Sequence, residues 1–244
     1  MTKYFVSFIL ICLLNAEIQA QNTDVYYKVF PKDILKDKQN IDQQTRRLVE
    51  GGVNYAKREE YILKINDTLS LFSKVNKLIS LDDPLKDIHE GIAKNFTNFN
   101  NQTLYIFNNN QIIYDISILN TTYTVMQEPI NFNWKLSNNQ KEILGYNAQK
   151  AEGVHKDILT GKTFKIEAWF IRDIPVSAGP DVFMGLPGLI VELDLLRSVI
   201  KISKIEKTNK ADINLKIDEK QSIDRDQLDK IIRNLNTKVN EISN

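Results

Sequence analysis

Apolar and polar residues alternate with a period of two along most of the chain, which predicts half-buried β-strands. Tyr114, Ile116 and Ile118 alternate with Asp115 and Ser117. Phe164, Ile166, Ala168 and Phe170 alternate with Thr163, Lys165, Glu167 and Trp169. Ile213, Leu215 and Ile217 alternate with Asn214 and Lys216. Turn formers separate the runs. Asn108-Asn109-Asn110 lies between Thr103–Phe107 and Gln111–Ile118; asparagine tolerates the left-handed backbone that a tight hairpin needs. Thr160-Gly161 precedes the run that starts at Lys162, and Ser137-Asn138-Asn139 follows a short strand at Asn133–Leu136. Leu189–Leu195 and Val199–Ile205 predict a further hairpin. Connections this short imply antiparallel neighbours, because parallel ones need crossovers of about a dozen residues or more.

Helical spacing occurs in two places. After Ser222, Asp224 and Asp226 fall in a first turn, where negative charge suits the helix dipole. Leu228, Ile231, Ile232, Leu235, Val239 and Ile242 then form one apolar stripe. Asp226 with Lys230, and Asp229 with Arg233, are spaced for ion pairs on the polar side. Asp83 is a fitting N-cap, with Pro84 in the first helical position and Leu85, Ile88 and Ile92 following. Asp33 to Glu50 is polar and shows no clear period. The fold class expected is mainly β (α+β). It combines an antiparallel, strongly curved sheet or half-barrel with a C-terminal amphipathic helix and one short helix near 84–94.

The first twenty residues read as a secretory leader. Lys3 supplies the positive charge, Tyr4–Leu14 the apolar run, and Ala20 before Gln21 a cleavage site. The run is shorter than the roughly 20 residues that span a bilayer. No repeat, no second hydrophobic stretch of that length and no Pro/Gly/Ser linker follows, so residues 21–244 read as one β-rich domain. The protein is then exported, periplasmic or secreted, with no transmembrane segment in the mature chain. A domain of this size buries roughly 70% of its unfolded surface and folds without metal or disulfide. The single cysteine, Cys12, lies in the leader. The mature chain therefore offers no disulfide, no thiolate nucleophile and no Cys-zinc site. A formal net charge of +1 argues against nucleic acid as a partner.

Recognisable catalytic chemistry is sparse. His89-Glu90 begins like the zinc motif HExxH, but Ala93 stands where the second histidine is needed. His155 lies in the tripeptide His155-Lys156-Asp157 before a turn and reads as a surface loop residue. There is no Gly-x-Ser-x-Gly elbow and no glycine-rich phosphate loop. No spacing singles out a pair of carboxylates. Neither a catalytic group, a metal site nor a cofactor is expected. Four Asn-x-Thr triplets, at Asn66, Asn95, Asn101 and Asn120, are accounted for by chance in a chain this rich in Asn and Thr.

The most distinctive segment runs from Trp169 to Ile190. About fifteen residues of irregular chain there contain Pro175, Gly179, Pro180 and Phe183, and loops of that length are often functional. It ends in Gly185-Leu186-Pro187-Gly188-Leu189-Ile190. Leu186–Leu189 predicts a type II turn, with Pro187 in the second position and Gly188 supplying the positive φ of the third. Gly185 is expected to allow close backbone packing. Two roles are open. Trp169, Phe183 and Leu186 can form a packed plug at the end of the sheet. Alternatively Trp169, Phe183 and Met184 line the rim of an apolar groove or partner surface. Burial of the aromatic residues discriminates between the two.

The hexapeptide resembles the signature of the GLPGLI family of secreted bacterial proteins. Trp134-Lys135-Leu136, the block Ile143–Ala151, Gly161-Lys162, Ala168-Trp169-Phe170 and Ile174-Pro175 extend the resemblance over about residues 130 to 195. Ala148 departs from it, standing where members often carry cysteine. The resemblance implies an exported bacterial protein without an assigned activity. The strand pattern with its terminal helix is also similar, by analogy, to periplasmic lipoprotein carriers, in which a half-barrel wraps a helix and holds acyl chains. A non-enzymatic module that binds an apolar ligand or an envelope protein is the first expectation. A hydrolase with an unfamiliar Ser/His or carboxylate site, and an assembly factor for outer-membrane or surface complexes, are the alternatives.

Overall fold

The computed structural model describes residues 22–35, 41–76, 83–97, 99–100, 102–118, 121–157, 161–209, 213 and 222–242. The predicted leader with Cys12, the strand residues 214–217, Thr160, Asn101 and Asn120 lie outside the described residues. So do the side chains of Val239 and Ile242.

The described strands are β1 (Asn22–Pro31), β2 (Glu60–Ile65), β3 (Leu69–Lys74), β4 (Gln102–Ile106), β5 (Gln111–Ile118), β6 (Thr121–Gln127), β7 (Lys135–Ile143), β8 (Tyr146–Lys156), β9 (Thr163–Ile171), β10 (Leu189–Asp194) and β11 (Ser198–Thr208). They form one sheet in the order β6-β5-β4-β3-β2-β1-β11-β10-β9-β8-β7. Every neighbouring pair is antiparallel. Two meanders are thus joined where β1 meets β11. The helices are α1 (Gln43–Arg58), α2 (Lys86–Thr97) and α3 (Arg225–Ile242).

The connectivity forces the curvature. Edge strands β6 and β7 follow one another in sequence. Eight residue steps from Gln127 to Lys135 reach at most about 29 Å. In a flat sheet, ten strand spacings would hold the edges about 48 Å apart. The sheet therefore curls, and it remains unclosed.

Buried rows trace the concave face. Val125, Tyr114, Thr103, Phe72, Leu63 and Val25 stand opposite one another across six strands. Val29, Ile200, Leu193, Ala168 and Ala151 continue across the other meander. One apolar core joins β5 and β6 residues to β8 and β9 residues from the far side of the sheet. Its filling is the chain itself: Phe132 from the β6–β7 connection, Val182–Met184 and Leu186 from the β9–β10 loop, and Leu228 and Ile232 from α3.

Local chemistry sets the helix ends. Asp224 accepts from the backbone N–H of Gln227 (2.8 Å), and the Gln227 side chain accepts from that of Asp224 (2.8 Å). This reciprocal capping box starts α3. The ion pair of its first turn is Arg225–Asp229, at 3.2 Å. Asp83 caps α2 through the N–H of Leu85 (2.9 Å). The expected short helix is therefore present, with regular structure from Lys86. α2 is tied to the sheet by the Ser198 hydroxyl, which donates to the Phe96 carbonyl (2.6 Å).

Three details correct the sequence reading. Part of the featureless stretch Asp33–Glu50 belongs to α1, capped by Asp42 on the N–H of Thr45 (2.9 Å). The short strand expected at Asn133 begins at Lys135, because Asn133 takes a positive φ of 52°. Ser137-Asn138-Asn139 does not end a strand. It makes a register irregularity inside β7, between Leu136 and Gln140. Bulges of this kind occur at sheet edges. Among the described residues no helix is long and apolar enough to cross a membrane.

Candidate functional site

The loop from Arg172 to Gly188 is fixed by its own backbone. N–H to C=O bonds spanning three residues join Val176 to Ile174, Ala178 to Val176 and Gly188 to Leu186, each at 2.8 Å. Pro175 and Pro187 sit at the centres of two of these γ-turns, for which a preset φ is suitable. The loop also adds backbone bonds to β10: Leu189 N–H donates to Ile174 (3.1 Å) and Ile190 N–H to Ala178 (2.9 Å). The Tyr27 hydroxyl, from β1, donates to the Ile190 carbonyl (2.7 Å).

Both motif glycines take a positive φ, and close approach falls to Gly188 rather than to Gly185. Leu186–Leu189 is not a type II turn, since Gly188 donates back to Leu186 and its φ of 156° is far from the roughly 80° of that turn's third position. A Cβ on Gly188 would lie 2.2 Å from the Ile171 carbonyl oxygen. Gly185 holds the left-handed conformation (φ 93°), and a Cβ there would meet nothing nearer than 3.7 Å. Backbone freedom is needed at both glycines, and close approach at Gly188 alone.

The predicted rim residues are not brought together. Phe183 is 4% and Met184 3% exposed, and Leu186 and Ile190 share their core. Phe183 stacks on Phe132 at 5.0 Å, and the Trp134 indole N–H donates to the Met184 carbonyl (2.9 Å). An exposed rim of Trp169, Phe183 and Met184 is thereby corrected to an inward-packed loop. Leu189 packs in the neighbouring core. Trp169 falls out of phase with Ala168 and Phe170 and faces the convex side. There it is half-buried under the Lys141 ammonium, 4.2 Å from the ring centre. Lys141 and Lys201 both reach Glu192, at 2.7 and 3.4 Å.

Polar groups that sequence reasoning missed lie on the concave side. Asp181 has a φ of 53° and is buried. It accepts from the Asn100 amide (2.9 Å) and from the Thr103 hydroxyl. Burial pushes its carboxyl above the usual carboxylate range, against those hydrogen bonds. Burial likewise pushes the Tyr114 phenol up to about 12, opposed by the Arg225 guanidinium. His155 is no surface loop residue. It belongs to β8 and packs against Phe132 and Phe183. The signal was there: His155 continues the inward phase of Ala151 and Gly153.

The other histidine, His89, meets Asp83 at 2.7 Å, but that carboxylate caps α2 and the pair stands in the α1–α2 contact, away from His155. Among the described residues no group of three or more His, Cys, Asp or Glu side chains could hold a metal ion. The concave side buries aromatic and aliphatic groups together with Asp181, Tyr114 and His155, and Arg225 acts on both Tyr114 and His155.

A family described as "Protein of unknown function (Porph_ging)" matches residues 153–192, which include the motif loop. No curated protein matches the chain. Among solved structures, PNGF-II in a C2 crystal is similar at 18% identity and a TM-score of 0.51, over 87% of this chain and 33% of that one. PNGF-II in a P21 crystal aligns at 19% identity and a TM-score of 0.48, over the same shares. The chain thus spans about a third of the length of PNGF-II. At this identity the likeness is one of fold.

Proposed function

We propose that this chain is an exported binding module of the bacterial cell envelope, of GLPGLI type, that engages a protein partner and performs no reaction of its own. The leader-like residues 1–20 and the resemblance across residues 130–195 support the export and family parts of this reading. The filled interior favours a protein over a small apolar ligand, since Phe132, Phe183, Leu228 and Ile232 occupy the concave face.

The observation that carries the reading is the β7–β8 hairpin. It stands at one edge of the sheet formed by the described strands and exposes Leu136 (48%), Leu144 (53%) and Val154 (41%). Its tip places Leu144 at φ 50° before Gly145 at φ 82°. Two-residue turns of this shape favour Asn or Gly, and a leucine there costs about 1 kcal/mol or more. An exposed apolar side chain held in strain beside the edge of the described sheet suits a contact made with another protein.

The test places a photo-activatable cross-linking residue at Leu144, with exposed Lys207 on β11 as control, in the protein recovered from its native envelope. A discrete cross-linked protein from position 144 and not from 207 is expected. Monomer alone from both positions would refute the binding reading. N-terminal sequencing of the same material, expected to start near Gln21, tests export separately.

A further inference from the structure

His155 stands where four parts of the fold meet. Its ring packs against Phe132 of the β6–β7 connection (5.9 Å) and Phe183 of the motif loop (5.3 Å). The backbone around it is closed, with Val154 N–H donating to the Phe132 carbonyl (2.8 Å). The fourth part is the start of α3, whose Arg225 guanidinium acts on the ring with like sign. Nδ1 of His155 is buried and has no hydrogen-bond partner. A neutral imidazole accommodates this, because one ring nitrogen carries only a lone pair. Protonation makes both nitrogens donors. An N–H would then point into aromatic surroundings without an acceptor, and a buried donor left unmatched is costly.

The charged and titratable groups around the ring do not offset this. Asp157, at the end of β8, favours the protonated ring, and Arg225 opposes it. Arg225 is paired with Asp229 on α3. The motif loop brings Asp181, but its carboxylate is engaged by Thr103 and Asn100. β5 brings Tyr114, whose phenol stays neutral. β9 places Phe164 opposite, and the connection Ile130–Trp134 carries no charge. Burial is the largest influence and holds the ring's pKa below its ordinary value of 6.5.

We propose that His155 is an acid-sensitive latch, whose protonation loosens the Phe132–Trp134 segment and α3 from the concave face. This is independent of the binding reading above. The sign follows from linkage. In the closed state the ring resists a proton, and in an opened state it meets water and regains its ordinary value. Well above pH 6.5 neither state is charged, so closure is unaffected. Below it the opened state takes up a proton that the closed state does not. The opened population then grows by up to about tenfold per pH unit, until the pH reaches the closed-state value.

Hydrogen exchange of the full chain, followed by mass spectrometry at about pH 7.5 and about pH 5 and corrected for intrinsic rates, tests this. Segments 125–134 and 222–235 contain backbone groups that lock the face, such as Met126 N–H on Ile223 (2.9 Å) and Ile223 N–H on Thr124 (2.8 Å). They are expected to exchange faster at the acid pH in the wild type and in His89→Gln, and to lose that acid step in His155→Phe. The same acid step in His155→Phe, or none in the wild type, would overturn the proposal. Should His155→Phe fail to fold, His155→Gln replaces it. Proton NMR titration of the two histidine rings is a separate check, and a midpoint for His155 at or above 6.5 would also sink the idea.

Discussion

Alanine at the two motif glycines separates a turn device from a packing device. At Gly188 the new Cβ would sit 2.2 Å from the Ile171 carbonyl oxygen, 2.8 Å from its carbon and 3.2 Å from Arg172 Cα. All three are backbone atoms of β9 or its end, and no rotamer moves them aside. Ile171 is held from both sides, opposite Leu189 and Ala148. Relief needs a displacement of about 1 Å between β9 and β10, inside a core where Ile171, Leu189 and Ile190 are fully buried. Overpacking costs about 1–3 kcal/mol and sometimes more. With the strand pair forced apart we expect the upper end, about 3 kcal/mol. At Gly185 the nearest atom to the added Cβ is 3.7 Å away, so only the left-handed φ of 93° is penalised. That is about 1–2 kcal/mol. Urea unfolding followed by tryptophan fluorescence gives both values from the midpoints, provided the slope is unchanged. Gly188→Ala should lose clearly more than Gly185→Ala. Equal losses are what a type II turn at Leu186–Leu189 would give, and they would refute the close-approach argument.

Phe183→Ala removes the ring stacked on Phe132 at 5.0 Å and should cost about 3–5 kcal/mol in the same unfolding assay; a loss under about 1 kcal/mol would mean the loop is no plug. Asp181 holds its proton more tightly folded than unfolded, so it makes stability fall as pH rises from 3.8 towards its folded value. Asp181→Asn should remove that contribution, seen as a difference between the two stability–pH curves in this window; parallel curves would refute it. Leu144→Asn should raise stability by about 1 kcal/mol, because Asn accepts the left-handed backbone that Leu resists. A lower melting midpoint would show that Leu144 is not strained.

Much of the fold was legible wherever one face of an element meets the core. The alternation in Gln111–Ile118 and Thr163–Phe170 reports a pleat with one buried side, and the stripe from Leu228 reports a helix with one buried side. α1 carries a poor helix signal at its centre, because Gly51-Gly52 lie within it and glycine disfavours a helix interior. Their reason lies in α2: a Cβ on Gly51 would strike the His89 ring (2.2 Å), and one on Gly52 would strike Ile92 (2.3 Å). A close helix crossing cannot be seen from one of its partners. The motif loop shows the same limit. Pro187-Gly188 carries the chemistry of a turn, and a turn is there. Which glycine has no room for a Cβ was decided by a carbonyl on a strand seventeen residues earlier, at Ile171. Asp181 gave no local sign of its partners, because Thr103 and Asn100 belong to the other meander.

The fold's own needs explain most of its unusual residues, and that makes the exceptions informative. A seven-residue connection between β6 and β7 obliges the sheet to curl, and a curled sheet leaves a concave face that must be filled. Phe132, Phe183, Leu228 and Ile232 fill it, and the motif loop is bent as it is to deliver Phe183 there. Leu144 answers to none of this. It is 53% exposed, so burial contributes little to keep it, and its φ of 50° is one that leucine resists. A residue that both packing and backbone energy disfavour in the isolated chain is the ground for the contact proposed above. The same does not hold for Phe183 or Met184, whose positions the interior alone accounts for. The surface on which to search for a partner is therefore the β7–β8 edge and its tip, not the hexapeptide that makes the chain recognisable.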